Sequence, residues 1–316
     1  MIKRRNKQSI TYGQAFELFI NAKKIKSVSE STIENYIQSY EYFISSQNLS
    51  SSKILDDSVK DLVDNYILIL KDKNMSVPSI NHFLGDIRVF LYWCMNENYI
   101  DKFKISLLKG QESKIKFFSD EELKILLIKP KDKSDFVECR TYAIICFILA
   151  TGARASTICD IKLEDIDFVN KEVTYRHLKN KQSAVIPLSN SLIKVLNDYI
   201  KEWDNHSDYL FCDISEGKLS RNALSLGLKR YCIERGIKPR GPHSLRHNFA
   251  RGWIKNNGNA FSLQQMLTHS DISMTRKYVK LFSNDLHNNL ENFSPLDTIK
   301  CCSSRTKTIK KRIIDN

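Results

Sequence analysis

The sequence has no long apolar run, no CxxC motif and too few acidic residues to balance its basic ones. No stretch approaches the roughly 18 consecutive apolar residues of a membrane-spanning helix, and the basic N-terminus has no apolar core, so we expect neither a membrane span nor a secretory signal. The eight cysteines are scattered without a CxxC pair or a Cys/His spacing typical of zinc sites. We therefore expect reduced cysteines and a cytoplasmic protein.

The charge balance favours a polyanionic partner. Lys and Arg number 49 against 36 Asp and Glu, which gives a net charge of +13 over 316 residues. A folded chain this basic suggests nucleic acid first and a membrane surface second, with a merely basic soluble protein as the plain alternative. A membrane-surface protein would need a basic amphipathic helix with a wide apolar face, and the apolar faces in this sequence are needed for a core.

The N-terminal part of the chain carries a helical pattern, with apolar residues at three- and four-residue steps between polar turns. The pattern predicts four helices: Thr11–Lys24, one from Ser29 through Phe43, Val59–Lys71 and Val77–Asn96. We interpret residues 8–103 as a helical domain. Its stripe of Tyr36, Tyr40 and Phe43 is predicted to lie in the core and not on a base-stacking surface. The basic, Gly-containing residues 104–116 are predicted to be a linker.

Residues 117–293 mix helices with a short β-hairpin, so the predicted fold class is mainly α with a small sheet (α+β). An apolar helix is predicted over Phe136–Ala150, and Gly152 after it can adopt a left-handed turn. Alternating residues on both sides of a polar turn predict the hairpin. Gly258 is expected to end a later helix, and the basic residues 294–316 are predicted to be a tail.

Side chains suited to phosphate chemistry are concentrated near the end of this domain. His243 and Arg246 stand three apart at a predicted helix start, so both lie on one face. His269 and Tyr278 follow them, and Arg154 stands upstream beside the Gly turn. Cations, proton carriers and a phenol together suit attack of a tyrosine on a phosphodiester.

Each candidate also has a plainer interpretation. His243 and His247 could be half of a metal site, but the sequence offers no third ligand nearby and no Glu at the metalloprotease position, so we disfavour a metal. Taken singly, the arginines could be surface residues, the histidines core residues, and the tyrosine one of thirteen that merely pack. The ordered set as a whole is what singles these residues out.

The order Arg…Lys…His-x-x-Arg…His…Tyr resembles the tyrosine recombinase (phage integrase) family, closely in the C-terminal half and only by helical pattern in the N-terminal half. The resemblance implies six catalytic residues: Arg154, Lys179, His243, Arg246, His269 and Tyr278. The lysine is placed by its distance from Pro187 at the end of the hairpin, and Lys181 is the rival. The chain departs from the family pattern in three places. Thr157 stands in place of Glu, Thr268 stands in place of Gly, and the usual GKGxK of the hairpin is degraded to Leu178-Lys-Asn-Lys.

The resemblance also implies the chemistry. The Tyr278 phenol would attack a DNA phosphate, forming a 3′-phosphotyrosyl bond and a free 5′-hydroxyl. The arginines and His269 would hold the phosphate, and Lys179 would protonate the leaving oxygen. His243 would help take the phenolic proton, with His247 as a structural neighbour. No cofactor and no metal is implied, because the covalent ester keeps the bond energy.

The implied partner is double-stranded DNA, clamped by both domains and exchanged through a four-way junction within a homotetramer. Residues 283–293 would pack into a neighbouring protomer, and an accessory directionality factor is a further candidate partner. Few residues precede the first predicted helix, so we expect the arm-binding domain of larger phage members to be absent. Integration, transposition and dimer resolution stay open as biological roles.

Two other functions use overlapping features. A type IB topoisomerase carries a similar residue set and nicks and reseals one strand without exchange. A site-specific DNA-binding protein without chemistry would be expected to have lost the tyrosine or an arginine, and here all are present.

Overall fold

The computed structural model describes residues 9–110, 115–130, 135–176, 183–202 and 207–282. By its internal contacts the chain forms two compact units, Met1–Ser113 and Lys114–Asn316. Lys179, Lys181 and the segment 283–316 lie outside the described residues. Within the described ranges, no helix is both long enough and apolar enough to cross a lipid bilayer.

Four helices make up the described part of the first unit: α1 (Tyr12–Ile25), α2 (Glu30–Ser46), α3 (Val59–Asp72) and α4 (Val77–Asn96). They confirm the predicted helices, with ends shifted by one to three residues where they differ. Thr11 caps α1, because its hydroxyl accepts from the Gln14 N–H at 3.3 Å while the Gln14 side chain accepts from the Thr11 N–H at 3.1 Å. This reciprocal pair satisfies N–H groups that a helix start leaves unpaired.

Aromatic rings fill the centre of this unit. Phe16 stacks on Tyr40 with ring centroids 3.8 Å apart, and Phe90 meets both rings edge-on. Tyr40 and Phe43 are buried and Tyr36 packs against the same cluster, which confirms the predicted core stripe. Burial of each such ring stabilises the fold by about 1.5–3 kcal/mol.

The start of the predicted linker is attached to α4. The Asn81 side chain donates to the Leu108 carbonyl at 2.9 Å and accepts from the Leu108 N–H at 2.8 Å. Ile105 is buried, and its N–H donates to the Tyr92 hydroxyl at 3.2 Å. Because these bonds satisfy the backbone polar groups, residues 105–108 can pack against the helical unit.

The helices of the second unit surround a short antiparallel sheet. The described helices are α5 (Asp120–Leu126), α6 (Phe136–Thr151), α7 (Ala155–Asp160), α8 (Asn190–Glu202), α9 (Arg221–Glu234), α10 (Pro242–Lys255), α11 (Ala260–Met266) and α12 (Ile272–Phe282). The sheet has the order β1 (Ile166–Asp167), β2 (Glu172–Tyr175), β3 (Ala184–Pro187). Tyr175 pairs with Ala184, which confirms the predicted hairpin. Strand β1 was not predicted, since two residues are too few to show an alternating pattern.

Helix α6 runs through the core of the second unit. Ile145, Phe147 and Ile148 point in different directions and are all 0% exposed, as in a helix buried on every side. The helix ends as predicted at Gly152, whose φ of +68° is left-handed. A Cβ at this position would come within 2.5 Å of the Phe249 ring, so a glycine is required.

Helix α10 ends differently from the prediction. Its last residue is Lys255, and Asn257 adopts the left-handed conformation with φ of +57°. Asparagine tolerates this backbone better than most residues. Gly258, predicted to end the helix, is needed for another reason, because a Cβ there would come within 2.3 Å of the Trp253 ring.

Candidate active site

Helix packing brings five of the six predicted catalytic residues into one place. Helix α10 packs against both α6 and α12, so its first turns lie beside the turn after α6 and the buried face of α12. The sixth residue, Lys179, lies outside the described residues, between β2 and β3. The five residues brought together are Arg154, His243, Arg246, His269 and Tyr278.

Arg246 is held by backbone oxygens. Its Nη1 donates to the Gly152 carbonyl at 2.6 Å, and its Nη2 donates to the Leu267 carbonyl at 2.7 Å. The side chain is buried, and burial together with the neighbouring charge of Arg154 lowers its pKa to about 10. The guanidinium is therefore still positive at neutral pH, and the two carbonyls offset part of the cost of burying that charge.

Arg154 is bound by one residue of the turn between α11 and α12. Its Nη1 donates to Thr268 Oγ1 at 2.6 Å, and both Nη1 and Nη2 donate to the Thr268 carbonyl at 3.3 Å. None of the ion pairs within the described ranges involves Arg154 or Arg246. Two guanidinium groups that donate hydrogen bonds to neutral oxygens keep their positive charge uncompensated, which makes a strong site for an anion such as phosphate.

His269 is buried beside both arginines. Its Nδ1 lies 2.9 Å from Thr275 Oγ1, and its ring lies parallel to the Tyr278 ring with centroids 6.3 Å apart. Burial, and then the charges of Arg246 and Arg154, lower its pKa to about 4, so the imidazole is neutral at pH 7. The hydrogen bond between Nδ1 and Thr275 fixes the ring orientation, so Nε2 is the nitrogen that can bind a phosphate oxygen.

Tyr278 is only 5% exposed, and its hydroxyl lies 2.8 Å from His247 Nδ1. Burial raises the pKa of the phenol, while the positive charges of Arg246 and Arg154 act in the opposite direction. Burial, then His243 and Arg246, lower the pKa of His247 to about 4. The imidazole is therefore neutral at pH 7 and can accept a hydrogen bond from the phenol.

His243 is exposed in the first turn of α10, one helical turn before His247. The two rings meet edge-on with centroids 4.6 Å apart. The structure thus places His247 against the hydroxyl of Tyr278 and His243 against His247. The histidine expected to be a structural neighbour is the one in contact with the phenol.

Three residues that contribute to this site were not predicted as site residues from the sequence: His247, Thr268 and Thr275. Each left a weak signal, because His247 follows His243 by one helical turn and Thr275 precedes Tyr278 by about the same interval. Thr268 showed only as a departure from the family pattern. Thr157, another departure from the family pattern, is buried in α7, one turn after Arg154.

A cleft of about 950 Å³ opens beside this cluster, between β3 and α11. It is lined by Val185 and Phe261, both largely exposed, and reaches Thr268 and His269. The buried histidine can therefore be approached from solvent along one side of the second unit.

The fold places two guanidinium groups beside a buried tyrosine, an arrangement suited to phosphoryl transfer. The sequence model of the phage integrase family matches residues 116–285, which is more than half of the chain. The chain belongs to the phage integrase family, the tyrosine recombinases.

Named relatives match along most of their length. Tyrosine recombinase XerD of Staphylococcus haemolyticus is 27% identical over 282 residues, covering 85% of this chain and 94% of the relative. Tyrosine recombinase XerA of Pyrococcus furiosus is 27% identical over 278 residues, covering 85% and 92%.

Two solved structures share the fold. The Tn1549 transposon integrase in complex with transposon right end DNA superposes with a TM-score of 0.74 at 18% identity, covering 90% of this chain and 98% of that one. A lambda integrase dimer bound to a COC′ core site gives 0.70 at 18% identity, covering 89% and 79%.

Proposed function

We propose that this chain is a tyrosine-type site-specific DNA recombinase, which cuts DNA with Tyr278 and joins the end to a new strand. The observation that carries the proposal is the Tyr278 hydroxyl, 2.8 Å from His247 Nδ1 and flanked by the guanidinium charges of Arg154 and Arg246. A phenol with a proton acceptor beside an anion site meets the needs of attack on a phosphodiester. Relatives named as tyrosine recombinases support the same function.

In the cleavage step the Tyr278 oxygen bonds to phosphorus and the bond from phosphorus to the 5′ oxygen breaks. The phenolic proton passes to His247, whose ring is in contact with His243. Lys179 gives a proton to the departing 5′ oxygen, a role that rests on the resemblance to the family. The products are a 3′-phosphotyrosyl ester and a free 5′-hydroxyl, and attack by another 5′-hydroxyl reverses the step on a new strand.

Arg154, Arg246 and His269 hold the phosphate during this step. Negative charge develops on its non-bridging oxygens, and fixed donors in a buried site stabilise that charge more than water does. Loss of one such donor costs about 100- to 1,000-fold in rate in comparable sites. The buried position of Arg246 and its two carbonyl partners give it little freedom to reorganise.

The same proposal includes double-stranded DNA held by both units, four protomers on two duplexes, and exchange through a four-way junction. Residues 283–293 couple neighbouring protomers, and a directionality factor sets the outcome on some sites. A chain ending at Lys280 is then expected to fold and bind DNA without assembling. Analytical ultracentrifugation on DNA that shows unchanged assembly of this truncated chain would contradict the coupling role.

The first test mixes purified protein with DNA taken from the sequences that flank its gene. Covalent protein–DNA complexes that survive SDS are counted for the wild type, for Tyr278→Phe, and for Tyr209→Phe as a matched control in the same unit. We expect complexes with the wild type and the control and none with Tyr278→Phe. Complexes that persist in Tyr278→Phe would assign the chemistry to another residue.

A second assay separates recombination from strand nicking. Two duplexes of different length carrying the same site are incubated together, and only a recombinase yields duplexes of hybrid length. Covalent complexes without hybrids would favour a topoisomerase-like activity. Sequence-specific binding without any covalent product would favour a DNA-binding protein that lacks the chemistry.

A further inference from the structure

Thr268 has a backbone conformation that its side chain disfavours. Its φ is +50°, in the left-handed region, and it is the one β-branched residue with positive φ among the described residues. It follows the last turn of α11, where its N–H donates to the Gln265 carbonyl at 2.9 Å and the His269 N–H donates to the Gln264 carbonyl at 3.0 Å. This pattern of helix ending usually has glycine at the left-handed position, because a β-branched side chain is crowded there.

The side chain of Thr268 is used by Arg154. The shortest hydrogen bond of that guanidinium, 2.6 Å, goes to the Thr268 hydroxyl, and the two longer bonds go to the Thr268 carbonyl. A glycine at position 268 would keep the carbonyl and lose the shortest bond. An arginine has five N–H donors, so these bonds still leave donors for a phosphate.

The same turn also holds the second arginine. Arg246 donates to the carbonyl of Leu267, the residue before Thr268, at 2.7 Å. The two guanidinium groups are close enough for each charge to act on the other, and Arg154 is among the main causes that lower the pKa of Arg246. Like charges repel, so an arginine without a fixed acceptor would move away. Arg154 is the more exposed of the two and depends on Thr268 for this restraint.

We propose that Thr268 is a positioning residue, whose hydroxyl sets the Arg154 guanidinium beside Arg246 for phosphate binding, and that the strained backbone at Thr268 is kept for this purpose. The inference rests on the proposed function. Backbone strain of this kind persists where the surroundings fix it, and it is concentrated at functional sites. The hydroxyl and the backbone make separate predictions, because the rate depends on the hydroxyl alone, whereas stability depends on both the hydroxyl bond and the backbone strain.

Three substitutions separate the two effects. T268V keeps the β-branched strain and removes the hydroxyl, T268G removes both, and T268S returns a hydroxyl without the β-branch. We expect T268V and T268G to lose the same factor, about 10-fold or more, in the single-turnover rate of covalent complex formation at saturating DNA, with the DNA concentration at half-maximal rate little changed. T268S restores most of the rate.

The melting temperatures follow a different order. Because T268G relieves the left-handed strain, it should melt about 2–6 °C above T268V. Glu216→Gly is a matched control, since Glu216 also has a positive φ, in an exposed turn, and this change should leave the rate as it is. Rates that follow the melting temperatures instead of the hydroxyl, or T268V at the wild-type rate, would overturn the proposal.

A measurement that needs no catalysis completes the test. T268V should lower the melting temperature of the wild type by about 2–4 °C through the lost bond, and by less than about 1 °C in an Arg154→Ala background. An equal drop in both backgrounds would overturn the proposal even if the chain formed no covalent complex. A wild type without covalent complexes would count against the proposed function alone.

Discussion

The contact between His247 and Tyr278 leads to a test of which histidine takes the phenolic proton. We predict that His247→Asn strongly slows covalent complex formation at pH 7. The asparagine amide can place a polar atom near the position of Nδ1, which lies 2.8 Å from the phenol in the wild type. It can therefore hydrogen-bond the hydroxyl, but it cannot accept a proton.

The size of the effect follows from the two roles that His247 could play. A hydrogen bond that only orients the phenol is worth about 1 kcal/mol, or roughly fivefold in rate. Proton acceptance in the transition state is worth about 100- to 10,000-fold. We therefore expect a loss of at least about 100-fold in His247→Asn, and a similar loss in His247→Ala.

The assay is single-turnover cleavage of a duplex site, followed from pH 5 to 9. A duplex whose leaving 5′ oxygen is replaced by sulfur provides the control, because a thiolate departs without a proton. That substrate should not rescue His247→Asn, since the missing step lies at the nucleophile. A His247→Asn enzyme within about fivefold of the wild type at each pH would refute the proton-acceptor role.

Three further predictions concern the framework around the site. Gly152→Ala should lower stability by about 1–3 kcal/mol, because its Cβ would lie 2.5 Å from Phe249. It should also reduce cleavage, because the Gly152 carbonyl holds Arg246. Thermal melting and the cleavage rate check this. Asn248→Ala should lower the melting temperature by about 6–12 °C, since the buried side chain donates to the Phe118 carbonyl at 2.7 Å and accepts from its N–H at 2.9 Å. Stability should also fall as the pH drops from 6.5 to 4. Burial lowers the pKa of His269 in the folded chain, so the unfolded chain binds more protons than the folded chain over this range. The effect is on the order of 3 kcal/mol for this group.

Matched variants control two of these tests, those of Gly152→Ala and of the pH dependence. Gly85→Ala places a Cβ where no atom lies within 4 Å, so it should not destabilise the chain. His269→Asn should reduce the pH dependence of unfolding between 4 and 6.5, as measured by chemical denaturation. It should not abolish it, because the pKa of His247 is also lowered to about 4. Equal pH slopes for the wild type and His269→Asn, or unchanged melting in Gly152→Ala, would contradict the packing and burial described above.

Much of the fold could be predicted because local patterns and tertiary packing agree. The recurrence of apolar residues at steps of three and four predicted α4 over Val77–Asn96. The apolar run before Gly152 predicted both α6 and its left-handed end. The alternation around β2 and β3 predicted their pairing. In each case the residues that favour the element are also the residues that it buries.

The details that could not be predicted depend on contacts between elements distant in sequence. The bond from His247 to Tyr278 exists because α10 packs on α12, and nothing local to residue 247 distinguishes it from a packed histidine. The bond from Arg154 to Thr268 joins residues far apart in the chain. The left-handed residue after α10 is Asn257 and not the predicted Gly258. Asparagine also tolerates this backbone conformation, which a rule based on glycine alone misses.

The most direct test of the central claim is to identify the residue bonded to DNA. The covalent complex is trapped on a cleaved site, digested with nuclease and protease, and sequenced by tandem mass spectrometry. The account predicts a nucleotide joined through its 3′ phosphate to the peptide that contains Tyr278. A nucleotide on any other of the 13 tyrosines, or on a different kind of side chain, would contradict it.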